Sequence, residues 1–454
     1  MKKEQSIVLD ITDLNNLGCG VGRYEGQVVF VSGAVRGDVV EAKVIKVNKS
    51  FAVARLTKVI TPSPIRLSED VCTAPLSCGG CVYRHVVYEE ELKLKREYVE
   101  NAFRKAGLSD VRVLPTLSTG KVYGYRNKAQ YPVSQTKNGL RAGFFARKSH
   151  NMIPAEGCAI QNGEFAPVVA FVCEFGTRVG WSAYDEESGR GLLRHIYLRI
   201  GEQTGELMLC LVINGDDLPC AEEFCAEIGE KFPRIVSLLL NKNKKNTNVV
   251  LGSEYVTLMG CDYIEDILCG LRFKISPDSF YQVNRDGAEL LYGLAKERAA
   301  LTGGEVLMDL YCGTGTIGLS MAEGAKRLIG VEIVSAAVDC ARENAQRGGV
   351  ANAEFYAADA SDREVILSAA GGTRPDVVII DPPRKGSTRA LAETLSSLDI
   401  PRIVYVSCDP DTLARDCVWF RELGYEIGEV TPVDMFPRTG HVESVVCIKR
   451  QILQ

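Results

Sequence analysis

The sequence lacks any uninterrupted apolar run of about 18 residues, the length that a membrane-spanning helix needs. The first residues, MKKEQSIVLD, also lack the apolar core and the small-residue cleavage site of a signal peptide, so we expect none. We therefore expect a cytoplasmic protein with no membrane among its partners. The 454 residues are too many for one ordinary domain, so two or three domains are expected.

Acidic residues are missing from one long segment, although the whole chain has a net charge of only −5. Residues 121–150 contain no Asp or Glu. The basic residues of this segment are Lys121, Arg126, Lys128, Lys137, Arg141, Arg147 and Lys148. The aromatic residues interleaved with them are Tyr123, Tyr125, Tyr131, Phe144 and Phe145. Because cations bind phosphates and aromatic rings stack on unpaired bases, the segment favours a nucleic-acid surface; a solvated basic hairpin is the simpler alternative.

Disulfide bonds are not expected, although the sequence has 16 cysteines. A reducing compartment keeps thiols reduced, and most of these cysteines are expected to be small buried residues. Three of them differ, because Cys72, Cys78 and Cys81 lie among turn residues in VCTAPLSCGGCVYRH. Their spacing alone leaves a disulfide, a zinc site, a redox pair or a rarer metal centre open.

Three regions follow one another along the chain. Residues 1–60 contain short Val-rich strands separated by turns, which is typical of a small five-stranded barrel of the oligonucleotide-binding type. Residues 61–285 begin with a linker and the three cysteines, contain a helical pattern near residues 89–107, and then indicate mostly strands. Residues 286–454 alternate short apolar strands with helices, which predicts an α/β domain with a parallel sheet, on which the earlier helix can pack.

A glycine-rich turn follows the first strand of this α/β region, in MDLYCGTGTIGLS. Gly313, Gly315 and Gly318 allow a tight turn and a close approach of a ligand to the backbone. Glu332 ends the next strand, where a carboxylate can bind ribose hydroxyls, and Asp359 ends the third, where it can accept from an adenine amino group. The pattern resembles that of class I S-adenosylmethionine-dependent methyltransferases; a nicotinamide-binding domain is the alternative.

Two further positions carry reactive side chains. Cys408 ends the fifth strand in VYVSCDP, and its alternative role is that of a small buried residue. Glu443 lies in FPRTGHVES, with His441 nearby. In IIDPPRKG the residue after the prolines is Arg384, whereas amino-group methyltransferases typically have an aromatic residue there. A thiol and a carboxylate beside a methyl donor favour methylation at a pyrimidine carbon.

The chemistry of uracil explains why this pair of groups is needed. Carbon C5 is too poor a nucleophile to attack a sulfonium methyl group directly, but addition of a thiolate to C6 gives an enolate with negative charge at C5. After methyl transfer, the C5 proton has to be removed so that the thiolate can be expelled. The reaction requires one cysteine with a lowered pKa and one general base, and a target inside a duplex has to be flipped out.

Several motifs together resemble one family, the RNA uracil-C5 methyltransferases, and within it the 23S ribosomal RNA enzymes of the RlmD (RumA) type. The first region resembles the family's TRAM domain, an RNA-binding barrel. The other matching motifs are YGYRNKAQYPV, SFYQVN, DLYCGTGTIGL, DPPRKG, VSCDP and FPRTGHVES. The resemblance implies that Cys408 is the nucleophile and that Glu443 is the base that removes the C5 proton.

The same resemblance implies a cofactor site for S-adenosylmethionine. The cofactor-binding or active-site positions that it assigns are Gln282, Tyr311, Gly313, Gly315, Thr316, Glu332, Asp359 and Asp381. Asp381 is also expected to hold the uracil edge. Arg438 and Thr316 depart from the family's pattern, since histidine is frequent at the first position and some members have asparagine at the second. Both departures are expected to act on RNA or cofactor contacts.

The resemblance also implies a role for the clustered cysteines, in a mostly β central iron–sulfur domain. The ribosomal branch of the family binds a [4Fe–4S] cluster through C-x5-C-x2-C and a distant fourth cysteine, which Cys72, Cys78, Cys81 and Cys158 match. Zinc is the alternative, because four thiolates also suit zinc. A radical enzyme is not expected, because its cluster motif usually has C-x3-C-x2-C spacing and leaves one iron open.

The sequence therefore predicts methylation of C5 of a uridine in 23S rRNA, without an obligate protein partner. A tRNA uracil-C5 methyltransferase is the first alternative, and the four cysteines disfavour it because the typical bacterial tRNA enzyme lacks the cluster. A cytosine-C5 enzyme is disfavoured because such RNA enzymes typically have a second cysteine near the position of Asp381. A catalytically idle RNA-binding or ribosome-assembly factor is disfavoured by the presence of both Cys408 and Glu443.

Overall fold

The amino-terminal strands form a closed barrel in the computed structural model, which describes residues 1–75, 77–146, 149, 151–154 and 157–451. The strands are β1 (Ser6–Leu14), β2 (Cys19–Tyr24), β3 (Gln27–Ser32), β4 (Val39–Val47) and β5 (Phe51–Thr61). They are arranged in the order β1-β2-β3-β5-β4, and β4 pairs back with β1. Ile7, Leu9 and Ile11 are buried while the residues between them are exposed, because successive side chains of a strand point to opposite faces. The barrel expected at the amino terminus is confirmed.

Helix α1 (Tyr88–Lys105) follows the cysteine-rich segment. Its buried residues Val99, Ala102 and Phe103 recur at helical spacing, so they form one apolar stripe. This stripe lies in the same hydrophobic core as Met308 and Leu310 of the last region. The helix therefore packs on the carboxy-terminal domain, more than 200 positions further along the chain.

The central region contains a seven-stranded sheet in the order β12-β11-β10-β9-β6-β7-β8. Its elements are β6 (Lys128–Thr136), β7 (Gly139–Phe145), β8 (Met152–Pro154), α2 (Phe165–Arg178), β9 (Leu193–Ile200), β10 (Leu207–Ile213), α3 (Ala221–Lys231), β11 (Ile235–Lys242) and β12 (Glu254–Gly260). A separate hairpin, β13 (Ile264–Leu268) and β14 (Leu271–Ile275), follows. The expectation of mostly strands missed α2 and α3, because Val and Phe residues dominate α2 and mask its helical period.

The carboxy-terminal domain is an α/β sheet in the order β17-β16-β15-β18-β19-β21-β20. Its elements are α4 (Arg285–Ala299), β15 (Val306–Leu310), α5 (Thr316–Met321), β16 (Arg327–Glu332), α6 (Ser335–Arg347), β17 (Ala353–Ala357), α7 (Arg363–Ala369), β18 (Val377–Ile380), α8 (Arg389–Ser397), β19 (Arg402–Ser407), α9 (Pro410–Glu422), β20 (Tyr425–Val433) and β21 (Glu443–Arg450), with a 3-10 turn at Ala322–Gly324. The first five strands are parallel, and β21 is antiparallel to both of its neighbours.

The strand order reverses beside β15, which has β16 on one side and β18 on the other. Open α/β sheets bind ligands at such a switch point, in the crevice at the carboxyl ends of the strands. Within the described ranges, no helix is long and apolar enough to cross a membrane.

Candidate active site

The crevice at the carboxyl ends of the parallel strands brings Cys408 and Glu443 together. Cys408 directly follows β19, and Glu443 is the first residue of β21. These strands are antiparallel, and Ser407 pairs with Ser444. Because antiparallel partners step in opposite directions, the next position after Ser407 lies opposite Glu443. Two residues 35 positions apart in sequence thus become neighbours at one edge of the sheet.

The thiol and the carboxyl group share an acidic environment. The expected lowered pKa of Cys408 is not found: burial, followed by the carboxyl groups of Glu443 and Asp381, raises the pKa of its thiol to about 11. Burial and then Asp381 raise the pKa of Glu443 to about 8, and burial raises the pKa of Asp381 to about 7. The Arg384 guanidinium opposes the shifts of Cys408 and Glu443. Raised carboxyl pKa values of this size are typical of groups that exchange protons near neutral pH.

The glycine-rich turn between β15 and α5 forms the adjoining part of the crevice. Its backbone is left-handed at Tyr311 (φ 64°), Gly313 (φ 55°) and Gly315 (φ 82°). Asp309, at the end of β15, accepts a hydrogen bond from the Gly318 N–H through Oδ2 at 2.9 Å, while its buried Oδ1 has no partner. Burial raises the pKa of Asp309 to about 7. The carboxyl group thereby holds the turn against the start of α5.

The two acidic residues at the ends of the neighbouring strands behave differently. Glu332 accepts from the Gly313 N–H at 3.2 Å and from the Val334 N–H at 3.0 Å, which places its carboxylate against the glycine-rich turn. Asp359 is exposed and accepts from the backbone N–H and the hydroxyl group of Ser361. Glu332 thus lies beside the turn, whereas Asp359 lies at the rim.

The predicted residues Gln282 and Thr316 meet at a buried tyrosine. The Thr316 hydroxyl lies 3.0 Å from the hydroxyl of Tyr292, to which the Gln282 side chain also bonds. The backbone of Gln282 is fixed as well, because its carbonyl accepts from Asn127 Nδ2 at 2.9 Å. Tyr292 therefore joins two segments of the crevice wall, and the Thr316 hydroxyl bonds to the protein itself.

Apolar residues at the rim are candidates that the sequence analysis missed. Phe280 is 62% exposed, although its carbonyl accepts from the Thr314 hydroxyl of the glycine-rich turn. Ile333 and Val334, directly after Glu332, are 69% and 54% exposed. Exposed large apolar side chains beside a polar crevice suit the faces of a flat ring such as adenine. The signal in the sequence was that Phe280 belongs to SFYQVN and that Ile333 and Val334 directly follow the acidic end of β16.

The four predicted metal ligands come from two distant segments of the chain, and three of them lie near enough to Cys81 to affect its pKa. Burial, followed by the thiols of Cys158, Cys72 and Cys78, raises the pKa of Cys81 to about 12. Burial also raises the pKa of Cys158, while the backbone N–H groups of Ile160 and Gln161 donate to its sulfur and favour the thiolate.

The donor set of this site fits a cation that binds thiolates. The thiols of Cys158, Cys72 and Cys78 raise the pKa of Cys81, and a soft metal bound by all four sulfurs would compensate this effect. Side-chain geometry alone does not assign the site, because no group of His, Cys, Asp or Glu is placed to hold a metal ion within the part of the chain that is described. A cavity of 330 Å³ adjoins the site and is lined by Thr73, Ala74, Pro75, Cys78, Phe144, Ile153, Pro154, Gly157 and Cys158.

Two lysines of the basic segment 121–150 have different environments. Lys121 forms ion pairs with Glu202 at 3.2 Å and Asp286 at 3.3 Å, so it is already neutralised. Lys128 has a different environment: burial, then the like charges of Arg199 and Arg126, lowers its pKa to about 8. Arg147 and Lys148, which were part of the same expectation, lie outside the described residues.

Lys128 lies on the face of the central sheet that is turned toward the catalytic domain. It is paired in register with Arg199, and Arg199 donates to the carbonyl oxygens of Ser276 and Ser279, in the segment that leads to Gln282. The residues adjacent to this pair, Ala129 and Leu198, point to the opposite face and its helix-covered core. Lys128 and Arg199 thus place two positive charges beside the segment that leads to Gln282, and we call this pair the cationic wall.

Comparisons with known proteins add two domain matches. The family model described as "tRNA (Uracil-5-)-methyltransferase" matches residues 234–451, and the TRAM domain model matches residues 5–57. The chain is 42% identical to an "Uncharacterized RNA methyltransferase" of Clostridium acetobutylicum, over 99% of this chain and 98% of that protein. It is 40% identical to a protein with the same description from Halalkalibacterium halodurans, again over 99% and 98%.

A solved structure agrees with these matches over nearly the whole chain. It is the tRNA (uracil-54, C5)-methyltransferase of Pyrococcus abyssi in complex with S-adenosyl-L-homocysteine. The similarity has a TM-score of 0.77 and 29% sequence identity, and covers 97% of this chain and 99% of that one.

Proposed function

Because this chain belongs to the S-adenosylmethionine-dependent RNA uracil-5-methyltransferase family and has a TRAM domain, we propose that it methylates C5 of a uridine in 23S rRNA, in the cytoplasm. The observation that carries the proposed reaction is the register between β19 and β21, which makes Cys408 and Glu443 neighbours beside the glycine-rich turn. A nucleophile and a base in this arrangement match the two requirements of carbon methylation on a pyrimidine.

The steps of the reaction follow from the groups in the crevice. The Cys408 sulfur adds to C6 of uracil, and the electron pair of the C5–C6 bond moves to C5 and O4. S-adenosylmethionine, when bound, would supply an electrophilic methyl group to C5, and its methyl–sulfonium bond would break to leave S-adenosylhomocysteine. Glu443 then removes the C5 proton, the C5–C6 double bond re-forms, and the C6–sulfur bond breaks. Arg384 favours both the thiolate and the carboxylate that these steps need.

The remaining predicted residues have supporting roles in this proposal. Tyr311, Gly313, Gly315, Glu332 and Asp359 line the cofactor side of the crevice. Gln282 and Thr316 fix its wall through Tyr292, and Asp381 holds the uracil edge. The phosphates of the RNA meet the cationic wall around Lys128, and the barrel supplies further RNA contacts.

We also propose that Cys72, Cys78, Cys81 and Cys158 hold a [4Fe–4S] cluster, with zinc as the alternative. The mutual interaction of the four thiols supports a shared metal centre, and the N–H groups aimed at the Cys158 sulfur support a thiolate ligand. Such a centre would join segment 72–81 to residue 158 and would supply no step of the methylation itself.

A tRNA is the second candidate substrate, favoured by the similarity to the Pyrococcus abyssi enzyme. Purified protein should be assayed with radiolabelled S-adenosylmethionine on 23S rRNA fragments and on tRNA transcripts in parallel, followed by mapping of 5-methyluridine. Methylation of rRNA alone supports the proposal, and methylation of tRNA alone replaces it by the second candidate. Methylation of neither RNA, with folded protein, contradicts both.

A further inference from the structure

The loop of residues 434–442 joins β20 to β21 and leads directly into Glu443. Its first half is anchored to α1 by a buried lysine, which is 1% exposed. Lys95 Nζ donates to Asp434 Oδ1 at 2.7 Å, to the Phe436 carbonyl at 3.2 Å and to Glu91 Oε1 at 2.8 Å. The Tyr88 hydroxyl donates to the other oxygen of Asp434 at 2.8 Å. Two of the three bonds hold the loop to the helix, and the third, to Glu91, lies within α1 and fixes the lysine side chain.

Other parts of the chain bond to the same loop through its carbonyl groups. Asn284 Nδ2 donates to the Met435 carbonyl at 2.9 Å, and the Tyr125 hydroxyl donates to the Pro437 carbonyl at 3.0 Å. The Tyr83 N–H, two residues after the last cysteine of the clustered three, donates to the carbonyl of residue 438 at 3.0 Å. The loop is thus bonded to the cysteine-rich segment as well as to the central and catalytic domains.

The barrel reaches this loop too. A Cβ atom on Gly440 would lie 1.9 Å from the carbonyl oxygen of Asn16 and 3.4 Å from Val82 Cγ2. Asn16 belongs to the turn between β1 and β2, so only glycine allows the barrel to come this close. Every region of the chain therefore contacts the nine residues that precede the general base.

Arg438 lies at the centre of these contacts. It is 4% exposed and adopts a left-handed conformation with φ 70°, which a side chain other than glycine adopts only when its surroundings impose it. Its backbone N–H donates to Glu91 Oε1 at 2.7 Å, and its Nη1 donates to the Val86 carbonyl at 2.7 Å. Its guanidinium lies over the rings of Tyr88 and Tyr123, 5.6 and 5.3 Å from their centroids.

These contacts overturn the expectation that Arg438 acts on RNA or cofactor contacts. The side chain points into the protein and bonds to Val86, which lies between the cysteines and α1, and to Glu91 in the first turn of α1. The Glu91 carboxylate links Lys95 to Arg438, because it accepts from the Lys95 ammonium group and from the backbone and side chain of Arg438. The arginine therefore joins the segment that follows the cysteines to the loop that carries the base.

We propose that Arg438 is a positioning residue for Glu443, which holds the base in place against the segment that follows the clustered cysteines. The proposal rests on the proposed function. Cys408 is held separately, because it directly follows β19 and precedes Asp409, whose side chain caps α9. Loss of the arginine should therefore slow removal of the C5 proton more than addition of the thiolate or transfer of the methyl group.

The test compares four variants in single-turnover reactions. The substrate is the RNA, rRNA or tRNA, that the wild-type protein methylates in the parallel assay described above. Arg438→Ala removes the contacts, and Arg438→Lys keeps the charge but loses the planar stacking and the fork of donors. Arg194→Ala is the matched control, since Arg194 is also 4% exposed, bonds to backbone carbonyls and lies over a tyrosine ring, but in the central domain. Glu443→Gln is the reference without the base. The readout is the fraction of RNA that is both methylated and covalently attached to protein after denaturation.

We expect Arg438→Ala to form the methylated adduct at nearly the normal rate and to release it about 10 to 100 times more slowly, which is part of the roughly 10²- to 10⁴-fold effect of a general base. Arg438→Lys should release it at an intermediate rate, and Arg194→Ala at the normal rate. Equal losses of adduct formation and release in both Arg438 variants, or normal release in both, overturn the positioning role. Absence of any adduct in Glu443→Gln points instead to failure of the proposed mechanism. If Arg438→Ala does not fold, the lysine variant alone decides.

Discussion

The thiols of Cys408 and Cys81 both have a raised pKa, but for different reasons. Cys408 is surrounded by carboxyl groups, and burial with Glu443 and Asp381 raises its pKa to about 11. Cys81 is surrounded by other thiols, and burial with Cys158, Cys72 and Cys78 raises its pKa to about 12. Each site also has one arginine that opposes the shift, Arg384 at Cys408 and Arg84 at Cys81, so the two sites differ in the groups that raise the pKa.

The difference indicates what each site needs in order to ionise. At Cys408, protonation of the neighbouring carboxyl groups removes the repulsion, so proton movement within the protein can activate the thiol. At the four cysteines, the thiols of Cys158, Cys72 and Cys78 raise the pKa of Cys81, so a bound cation is what would favour its thiolate. We therefore expect proton transfer at the first site and a bound metal at the second.

The largest expected effect comes from removing the single thiol. Cys408→Ala should lower turnover by at least about 10⁴-fold, because no other group can add to C6, as with other nucleophile deletions. Cys447→Ala is the matched control, since Cys447 is also buried and lies on β21 with Glu443. Rates should be measured as methyl groups incorporated per enzyme. Turnover in Cys408→Ala that equals that of Cys447→Ala would remove Cys408 from the mechanism.

Removing one of the four clustered thiols should lower metal content and melting temperature more than it lowers catalytic turnover. Cys81→Ser should lower the bound iron or zinc and the melting temperature, because a serine hydroxyl is a poor substitute for a thiolate. Turnover should fall less than in Cys408→Ala, since the base and the nucleophile remain. The control is Cys261→Ser, an exposed cysteine outside the cluster. Full metal content in Cys81→Ser, measured by elemental analysis, contradicts the ligand assignment.

The raised pKa of Glu443 can be tested through the pH dependence of the stability of the fold. The pKa of Glu443 is raised from 4.5 to about 8, so the folded state binds this proton more tightly than the unfolded state does. The carboxylate therefore destabilises the fold increasingly as pH rises from 4.5 to about 8, by up to about 1.4 kcal/mol for each pH unit. Glu443→Gln should melt higher than the wild type at pH 8, and this difference should vanish toward pH 4.5. A difference that is independent of pH would contradict the raised pKa.

The smallest expected effect concerns the cationic wall. Lys128→Gln should weaken RNA binding uniformly across sequences and reduce the dependence of log affinity on log salt by about one charge. Because the pKa of Lys128 is lowered to about 8, the difference from the wild type should shrink above that pH. Lys231→Gln, on α3 at the other face of the sheet, serves as the control. An unchanged salt dependence in Lys128→Gln would place the RNA elsewhere.

The sequence predicted the parts of the molecule that depend on local periodicity. The alternation of the barrel strands and the βα alternation around the glycine-rich turn both arise from which face each residue buries, and both were read correctly. Helix α2 was missed because packing against the sheet overrides the strand preference of its Val and Phe residues. Helix α3, AEEFCAEIGEK, was missed although its Ala and Glu residues favour a helix. The residue types at the active site follow from motifs, whereas their adjacency needed the register of β19 with β21.

The contacts of Arg438 could not be predicted from the sequence. Its bonds join Val86 and Glu91 to a loop about 350 positions later, and no local pattern indicates a contact at that separation. The exposed Phe280 and Ile333 were likewise missed, because exposure of an apolar side chain is a property of the folded surface alone.

The shared core of α1 and the carboxy-terminal domain has a consequence for synthesis of the chain. Phe103 is buried together with Phe420, which the ribosome adds more than 300 residues later. At about 5 to 20 residues per second, the apolar stripe of α1 waits on the order of 15 to 60 seconds for its partner. During that interval the nascent chain exposes the kind of surface that chaperones bind, and a fragment that ends before α9 would keep it exposed permanently.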